Sequence, residues 1–466
     1  MHLVAIGGSD AGISAALRAR ELDPSCKVTV VLADDYPNFS ICGLPYYVSG
    51  DVPDWHNLAH RTRADLEAAG LQLLTRTRAT AIAAAEHSVE LLGPGGRTEL
   101  LTYDALVIGT GAVSVVPPIA GLTGPGALGP AHGVHTLHTM GDVHAVMDTL
   151  HRRNAATAVV VGAGYIGLEM AEALTARGCA VTQIEALPEV LPTLDPALGQ
   201  LVRAELESHG VEVLTATTVS SITRAPTPGP ALLVRAEGAD GSSVTRTVDI
   251  VLVVVGVRPD SELAESAGAR IGVKGAVQVD TRMATNLPDV YAAGDCAITH
   301  HRLLGETWLP LGTTAHKQGR VAAENALGGD KQFQGSLGTQ VVKVFDLVAA
   351  RTGLRDHEAT AAERGWVART IPSRADDHKA YYPGATTIDL RVTGDAASGM
   401  LLGAQLVGRL GAEIAKRVDV FAAALFNTMT VDALNDLDLS YTPPLGSPWD
   451  PVQIAAQAWL RAATLG

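Results

Sequence analysis

Two stretches of the chain share one design. "HLVAIGGSDAGISAALRAREL" runs into "KVTVVLADD", and "TAVVVGAGYIGLEMAEALTARG" runs into "AVTQIEA". In each, a continuous apolar run ends in a glycine-rich turn, the apolar spacing changes to that of a helix, and a second apolar run follows. Strand, tight turn, helix and strand form the opening unit of a dinucleotide-binding fold. Finding it twice, far apart in one chain, implies two nucleotide sites. The expected class is α/β, with two Rossmann-like dinucleotide-binding domains.

The second turn, Gly162-Ala163-Gly164-Tyr165-Ile166-Gly167, is a full GxGxxG between strand and helix. Gly162 permits the tight turn, Gly164 lets the backbone approach a pyrophosphate, and Gly167 allows close helix–strand packing. The helix N-terminus then offers free N–H groups to the phosphates. Glu185 closes the next strand, where a carboxylate accepts both ribose hydroxyls and repels a 2′-phosphate, so NADH is favoured over NADPH. In the first turn, Gly7-Gly8-Ser9-Asp10-Ala11-Gly12, Ser9 stands at the second glycine position and is small enough to keep the phosphate approach. Asp34 is the expected ribose carboxylate there, with Asp35 as the alternative. "TNLPDVYAAGDC" reads as a strand ending in Gly294-Asp295, suited to a carboxylate on a ribityl or ribose hydroxyl. "LVIGTGA", with Gly109, Thr110 and Gly111, reads as a strand entering a close backbone approach.

At 466 residues the chain has room for about three domains. "GLTGPGALGP" reads as a flexible connection before the second unit, and "VLVVVG" as the return to the first. A helix follows at "AHKQGRVAAENAL". From about Gly328 the character changes. "TQVVKVFDLVAARTG", "TIDLRVT" and "MLLGAQLVG" suggest an antiparallel sheet, with helices near Ala412–Met429 and Pro451–Ala463, hence a C-terminal α+β domain. The formal net charge of −14 argues against nucleic acid and anionic membrane as partners. No N-terminal signal pattern and no apolar run long enough for a bilayer appears, and the four cysteines fit neither a disulfide scaffold nor a zinc site, so metal is not expected. A cytoplasmic protein is the expectation.

Cys42 stands alone in "NFSICGLPYY", with no second cysteine to pair with. "GLPYYVSG" suits a short helix with Pro45 in its first turn. A cysteine at such a helix N-terminus is expected to have a lowered pKa and to attack disulfide or persulfide sulfur as the thiolate. Cys26, Cys179 and Cys296 have no such context and are expected to be structural.

Two GxGxxG-like units, "VIGTG", "GVRP" (Gly256–Pro259), "VYAAGD" and "KQGRVAAENALGG" occur in this order. The whole chain resembles the flavin-dependent pyridine nucleotide–disulfide oxidoreductases. The resemblance implies FAD in a discontinuous first domain (1–113 and 246–327), NAD(H) in a second (114–245), and a C-terminal dimerisation domain (328–466). The single cysteine is similar to the branch holding coenzyme A-disulfide reductases, persulfide reductases, NADH oxidases and NADH peroxidases. "KAYYPGA" and "LSYTPPLGSPWD" resemble coenzyme A-disulfide reductase most. That likeness brings Tyr381 or Tyr382, with Tyr441, to Cys42 of the partner subunit of a homodimer. It also suggests that Tyr165 covers one flavin face and that Glu169 and Lys317 border the flavin or nicotinamide. There are departures. Ile41 replaces the asparagine before the cysteine, and Asp10 stands where the oxidases and peroxidases carry histidine. Arg18 and Arg20 are candidates for a coenzyme A 3′-phosphate, with Glu21 beside them. The implied activity is electron transfer from NADH through FAD to Cys42 and on to a small disulfide or persulfide. The alternative is an NADH oxidase or peroxidase working through a cysteine sulfenic acid, and a flavoprotein that serves only as a binding module is the third reading.

Overall fold

The protein is described by a computed structural model covering residues 1–226 and 231–465. The first apolar repeat builds a five-stranded parallel sheet in the order Val290–Ala292, Ala105–Ile108, His2–Ile6, Lys27–Val31, Leu71–Leu74. Leu3, Val4, Ala5, Val30, Leu106 and Val107 are fully buried, as parallel strands covered on both faces must be. The second repeat builds a like sheet in the order Glu212–Leu214, Ala180–Ile184, Thr157–Val161, Ile250–Val253, Val134–His135. Each unit carries a three-stranded antiparallel meander, Arg78–Ala83, Ser88–Leu92 and Thr98–Thr102 in the first and Thr217–Arg224, Leu232–Gly238 and Ser243–Val248 in the second.

Two sequence expectations need correction. The "VLVVVG" strand does not begin the return to the first unit. Ile250–Val253 pairs with Thr157–Val161 and completes the second sheet, because its uniformly apolar side chains require cover on both faces. The return comes with Val257–Pro259, which pairs with Ala112–Ser114. Nor does the Gly121–Pro130 connection run free. Ile222 N–H donates to Ala120 O at 2.9 Å, and a Cβ on Gly121 would lie 2.0 Å from Ile222 O, so the segment is pressed against the second meander.

The third unit is a five-stranded antiparallel sheet, Gln340–Val344, Leu347–Gly353, Leu401–Arg409, Thr387–Asp395 and Ala368–Asp376. Ile414–Phe426 and Pro451–Leu465 are the two helices the sequence pointed to. The edge strand Ala368–Asp376 was not legible, because "ARTIPSRAD" is interrupted by Pro372 and mostly polar.

Four helices carry the site: α1 (Asp10–Leu22), α2 (Leu44–Ser49), α3 (Tyr165–Ala176) and α4 (Gly312–Ala326). A half-buried cluster fixes the third unit against the second. Arg351 donates to Thr193 O at 2.8 Å, Arg355 donates to Pro192 O and Leu194 O, and both arginines bond Glu358. Burial opposes the Glu358 charge, but the hydrogen bonds and cations of Arg351 and Arg355 win and hold its pKa at about 2. A carboxyl depressed from its ordinary 4.5 contributes stability above that value and loses it as pH falls toward 2. Glu358→Gln is expected to cost about 2 kcal/mol at neutral pH, the lower end for a buried pair because the carboxyl keeps some solvent contact. Denaturant titrations at pH 7 and pH 3 check this: the gap between wild type and variant should shrink at the lower pH.

Candidate active site

In the first unit the glycine turn is packed as tightly as a nucleotide cradle requires. Gly7 has φ +117°, and a Cβ there would lie 2.0 Å from Gly109 O. A Cβ on Gly12 would lie 2.0 Å from Gly7 O. Ser9 makes no side-chain cap, which leaves the amides at the start of α1, from Asp10 and Ala11 onward, without that partner. The Thr110 hydroxyl donates to Asp260 O and, with the Asp260 N–H to Gly111 O bond of 2.9 Å, holds the crossing chain. At the strand end, Arg76 pairs with Asp35 at 3.3 Å, while Asp34 accepts the Tyr36 amide at 3.0 Å. Gln318 on α4 accepts the Gly294 amide at 2.8 Å and so fixes the turn bearing Asp295. Among the described residues no protein donor reaches the Asp295 carboxyl, and burial, then Asp10, raises its pKa to about 6. A crowded carboxyl without a donor suits the hydroxyls of a ribityl or ribose chain.

In the second unit, Gly164 begins α3 without a side-chain cap, and no atom lies within 4 Å of where its Cβ would be. Gly167 sits close against the turn, its absent Cβ 2.1 Å from Gly162 O, and Ile166 packs on the second-domain core. The Gln183 amide donates to Gly162 O at 2.7 Å. Glu185 is buried at the strand end and accepts the Ala163 and Leu187 amides at 2.7 and 2.9 Å, so its charge stands against the glycine turn. Gly256 opens onto free space at φ +115°. These cradles fit a flavin dinucleotide at the first turn and a nicotinamide dinucleotide at the second.

Cys42 sits between them. It lies in the single turn Ile41–Gly43 directly before α2 and is the one exposed cysteine among the four; Cys26, Cys179 and Cys296 are buried. Leu44 and Val48 of α2 pack with Leu168 and Leu174 of α3 in one core, and Arg177 bonds Val48 O. The cysteine-bearing turn, though part of the first unit in sequence, is therefore seated on the nucleotide helix of the second. The expected lowering of the Cys42 pKa is not found. Desolvation raises it, and the carboxylates of Glu169, Asp10 and Asp295 raise it further, because three acidic groups from three elements outweigh a short helix terminus.

Tyr46, one helical turn after Cys42, donates to Glu169 at 3.3 Å. Burial raises Glu169 to about 7, and burial together with the Glu169 charge pushes the Tyr46 phenol well above its ordinary value. Tyr46 escaped the sequence reading, although its i+4 spacing from Cys42 was a usable signal. Tyr165 accepts the Thr193 hydroxyl at 3.3 Å, next to the carbonyl held by Arg351. Lys317 is exposed on α4. Its neighbour His316 reaches Asp10, Nε2 to Oδ1 3.3 Å, a contact that no local motif announces. Arg18 and Arg20 both have partners within the chain. Arg18 pairs with Glu21 and Glu324, and Arg20 closes on the carbonyls of Pro24, Cys26 and Ala69.

Far from Cys42 in sequence, Tyr381 and Tyr441 are neighbours, and Tyr381 helps to raise the Tyr441 pKa after desolvation. Both are exposed, at 73% and 44%, with Leu445 nearby in the chain at 72%, and Lys379 N–H to Pro443 O ties the two segments. Tyr382 instead meets the His378 ring edge-on. No helix among the described residues is long and apolar enough to cross a membrane.

Residues 1–319 match the pyridine nucleotide-disulphide oxidoreductase family, and residues 339–450 match its dimerisation domain. The chain is 31% identical over 469 residues to an NADH oxidase of Methanocaldococcus jannaschii, covering 99% of each. It is 33% identical over 457 residues to an NAD(P)H sulfur oxidoreductase (CoA-dependent) of Pyrococcus furiosus, covering 98% of each. A solved NAD-dependent persulfide reductase from A. fulgidus superposes with TM-score 0.91 at 38% identity, over 100% of this chain and 84% of that one. Two glycine cradles, a lone exposed cysteine between them and the dimerisation sheet occur together over the whole length, and the chain belongs to the pyridine nucleotide-disulphide oxidoreductases, which use FAD and NAD(P)H.

Proposed function

We propose that the protein takes electrons from NADH and delivers them through Cys42 to a small disulfide or persulfide, coenzyme A disulfide being the leading candidate. The observation that carries this is the position of Cys42, the one exposed cysteine, on a turn packed against α3 and within charge range of Asp10 and Asp295. Asp34 and Asp295 of the first cradle would hold FAD, which would supply the two-electron chemistry between NADH and sulfur.

The protein's own part begins at Cys42. The thiol gives up its proton, the sulfur attacks one sulfur of the substrate, and a Cys42–substrate disulfide forms as the substrate S–S bond breaks. The departing thiolate takes a proton. Glu169, with a pKa near neutrality and a hydrogen bond from Tyr46, holds a proton at this cleft. Two electrons from NADH then return Cys42 to the thiolate and release the second thiol. Relatives named for CoA-dependent sulfur and persulfide reduction support this reading.

The substrate assignment is tested by anaerobic NADH oxidation with coenzyme A disulfide, a persulfide, or hydrogen peroxide, and by an aerobic run without added acceptor. Sulfur substrates should dominate. The relative named as an NADH oxidase favours a second reading, which predicts dominance of oxygen or peroxide instead. In the same assay NADH should exceed NADPH at least about tenfold in kcat/KM, roughly 1.4 kcal/mol, because a 2′-phosphate would face buried Glu185. Equal use of both cofactors would mean that Glu185 does not read the ribose.

The tyrosine pair gives a test of site sharing. Among the described residues no hydrogen bond joins Tyr381 or Tyr441 to Cys42 within one subunit, and in this reading they reach it across a two-fold interface. A phenol with an ordinary pKa of about 10 is protonated at neutral pH and can donate to a leaving thiolate. Tyr441→Phe should slow disulfide turnover about tenfold while leaving reduction by NADH intact. Subunit exchange between Cys42→Ser and Tyr441→Phe dimers should restore turnover through one wild-type site per heterodimer. Heterodimers that form without regaining activity would rule out a shared site.

A further inference from the structure

Asp10 has no part in the chemistry above, yet it sits at the start of α1 and its charge acts on Cys42. Its partner comes from α4. His316 Nε2 lies 3.3 Å from Asp10 Oδ1, and His316 Nδ1 lies 2.7 Å from Ser14 Oγ. Each ring nitrogen therefore faces an oxygen, the arrangement that an imidazolium satisfies with two donors. The His316 side chain is 45% exposed, but its helix packs closely on α1: a Cβ on Gly319, one turn along α4, would lie 2.2 Å from Ala11 O. His60 is the other ring facing it, centroid to centroid 6.4 Å.

The electrostatic setting gives this bridge a consequence. Cys42 faces Glu169 from α3, Asp10 from α1 and Asp295 from the turn after Val290–Ala292, while Tyr46 stands on its own helix. Burial keeps Glu169 and Asp295 protonated to higher pH than ordinary carboxyls. Among the described residues Asp10 alone of the three has a histidine partner.

We propose that His316 is a positioning residue for the Cys42 reaction: bridging Ser14 and Asp10, it offsets the Asp10 carboxylate and so lets Cys42 ionise in an acidic cleft. The step concerned is ionisation alone. The S–H bond breaks, sulfur keeps the electron pair, and the proton leaves to solvent. The proposal rests on Cys42 as the nucleophile, but its readout does not use turnover.

Holoenzyme is freed of any adduct with dithiothreitol and desalted anaerobically. The rate of Cys42 alkylation by iodoacetamide is then followed against pH by mass spectrometry of the Cys42 peptide. The other three cysteines are buried, and Cys42→Ser supplies the background. His316→Asn should move the midpoint of the profile up by about half a unit or more, as loss of a compensating charge near a thiol does. His316→Arg, which keeps a cation, should leave it close to wild type. Asp10→Asn should move it down, and adding His316→Asn to Asp10→Asn should change little further. Flavin content of each variant reports whether the cradle is intact. The proposal is overturned if His316→Asn leaves the midpoint unmoved, if Asp10→Asn fails to lower it, or if the His316→Asn shift persists undiminished in the Asp10→Asn background. Full turnover in Cys42→Ser would instead remove the catalytic reading and leave the charge coupling standing.

Discussion

Cys42→Ser should lose disulfide turnover by at least about a thousandfold, the scale seen when a catalytic nucleophile is removed. Bleaching of the flavin absorbance by NADH should survive in the same variant, since serine changes neither glycine cradle. The substitution is small, the position is exposed, and Leu44 and Val48 continue to seat α2 on α3, so the fold should be unaffected. Stopped-flow absorbance separates the two halves of the reaction: the reductive phase is expected at close to the wild-type rate, with no reoxidation by disulfide. Loss of both phases would mean that Cys42 supports nucleotide binding rather than sulfur chemistry.

Gly164→Ala should damage NADH use by about a hundredfold in kcat/KM, the scale of a displaced reacting geometry, without harming the folded protein. The reasoning is a contrast between two glycines. At Gly12 an added methyl would strike the Gly7 carbonyl at 2.0 Å, so substitution there disrupts the first turn itself. At Gly164 the methyl meets no protein atom, and φ −76° is ordinary for alanine. The space it fills is where a pyrophosphate approaches the backbone. Thermal denaturation of Gly164→Ala should therefore be unchanged or slightly higher, and flavin content should be full. A tight NADH response in this variant would show that the second turn does not hold the nucleotide backbone.

Much of the architecture is legible in the sequence because buried parallel strands and glycine turns leave local signatures. "HLVAIGG" and "TAVVVGAG" each predict strand and turn, and both are found. The sheet that Ile250–Val253 joins is not legible, because an apolar run does not say which neighbour it pairs with. The Pro-interrupted edge strand Ala368–Asp376 lacks a period of either kind. At the site, Cys42 stands out because nothing near it explains it as packing. Its electrostatics were misjudged from the local helix alone, since Glu169, Asp10 and Asp295 reach it from elements remote in sequence. His316 shows the same limit: it and Asp10 are joined only by the packing of α4 on α1. Arg18 and Arg20 illustrate the converse, since free-looking cations on a helix turn out to be occupied by Glu324 and by backbone carbonyls.

The central claim is that Cys42 carries the substrate as a mixed disulfide between two electron-transfer events. The most direct measurement mixes the pre-reduced, desalted holoenzyme with a stoichiometric amount of coenzyme A disulfide and locates the added mass by peptide mass spectrometry before and after NADH. The account predicts one coenzyme A adduct on Cys42, none on Cys26, Cys179 or Cys296, and its loss with release of coenzyme A thiol when NADH is added. Turnover of the disulfide with Cys42 unmodified throughout, or an adduct on Cys42 that NADH leaves in place while turnover continues, would contradict it.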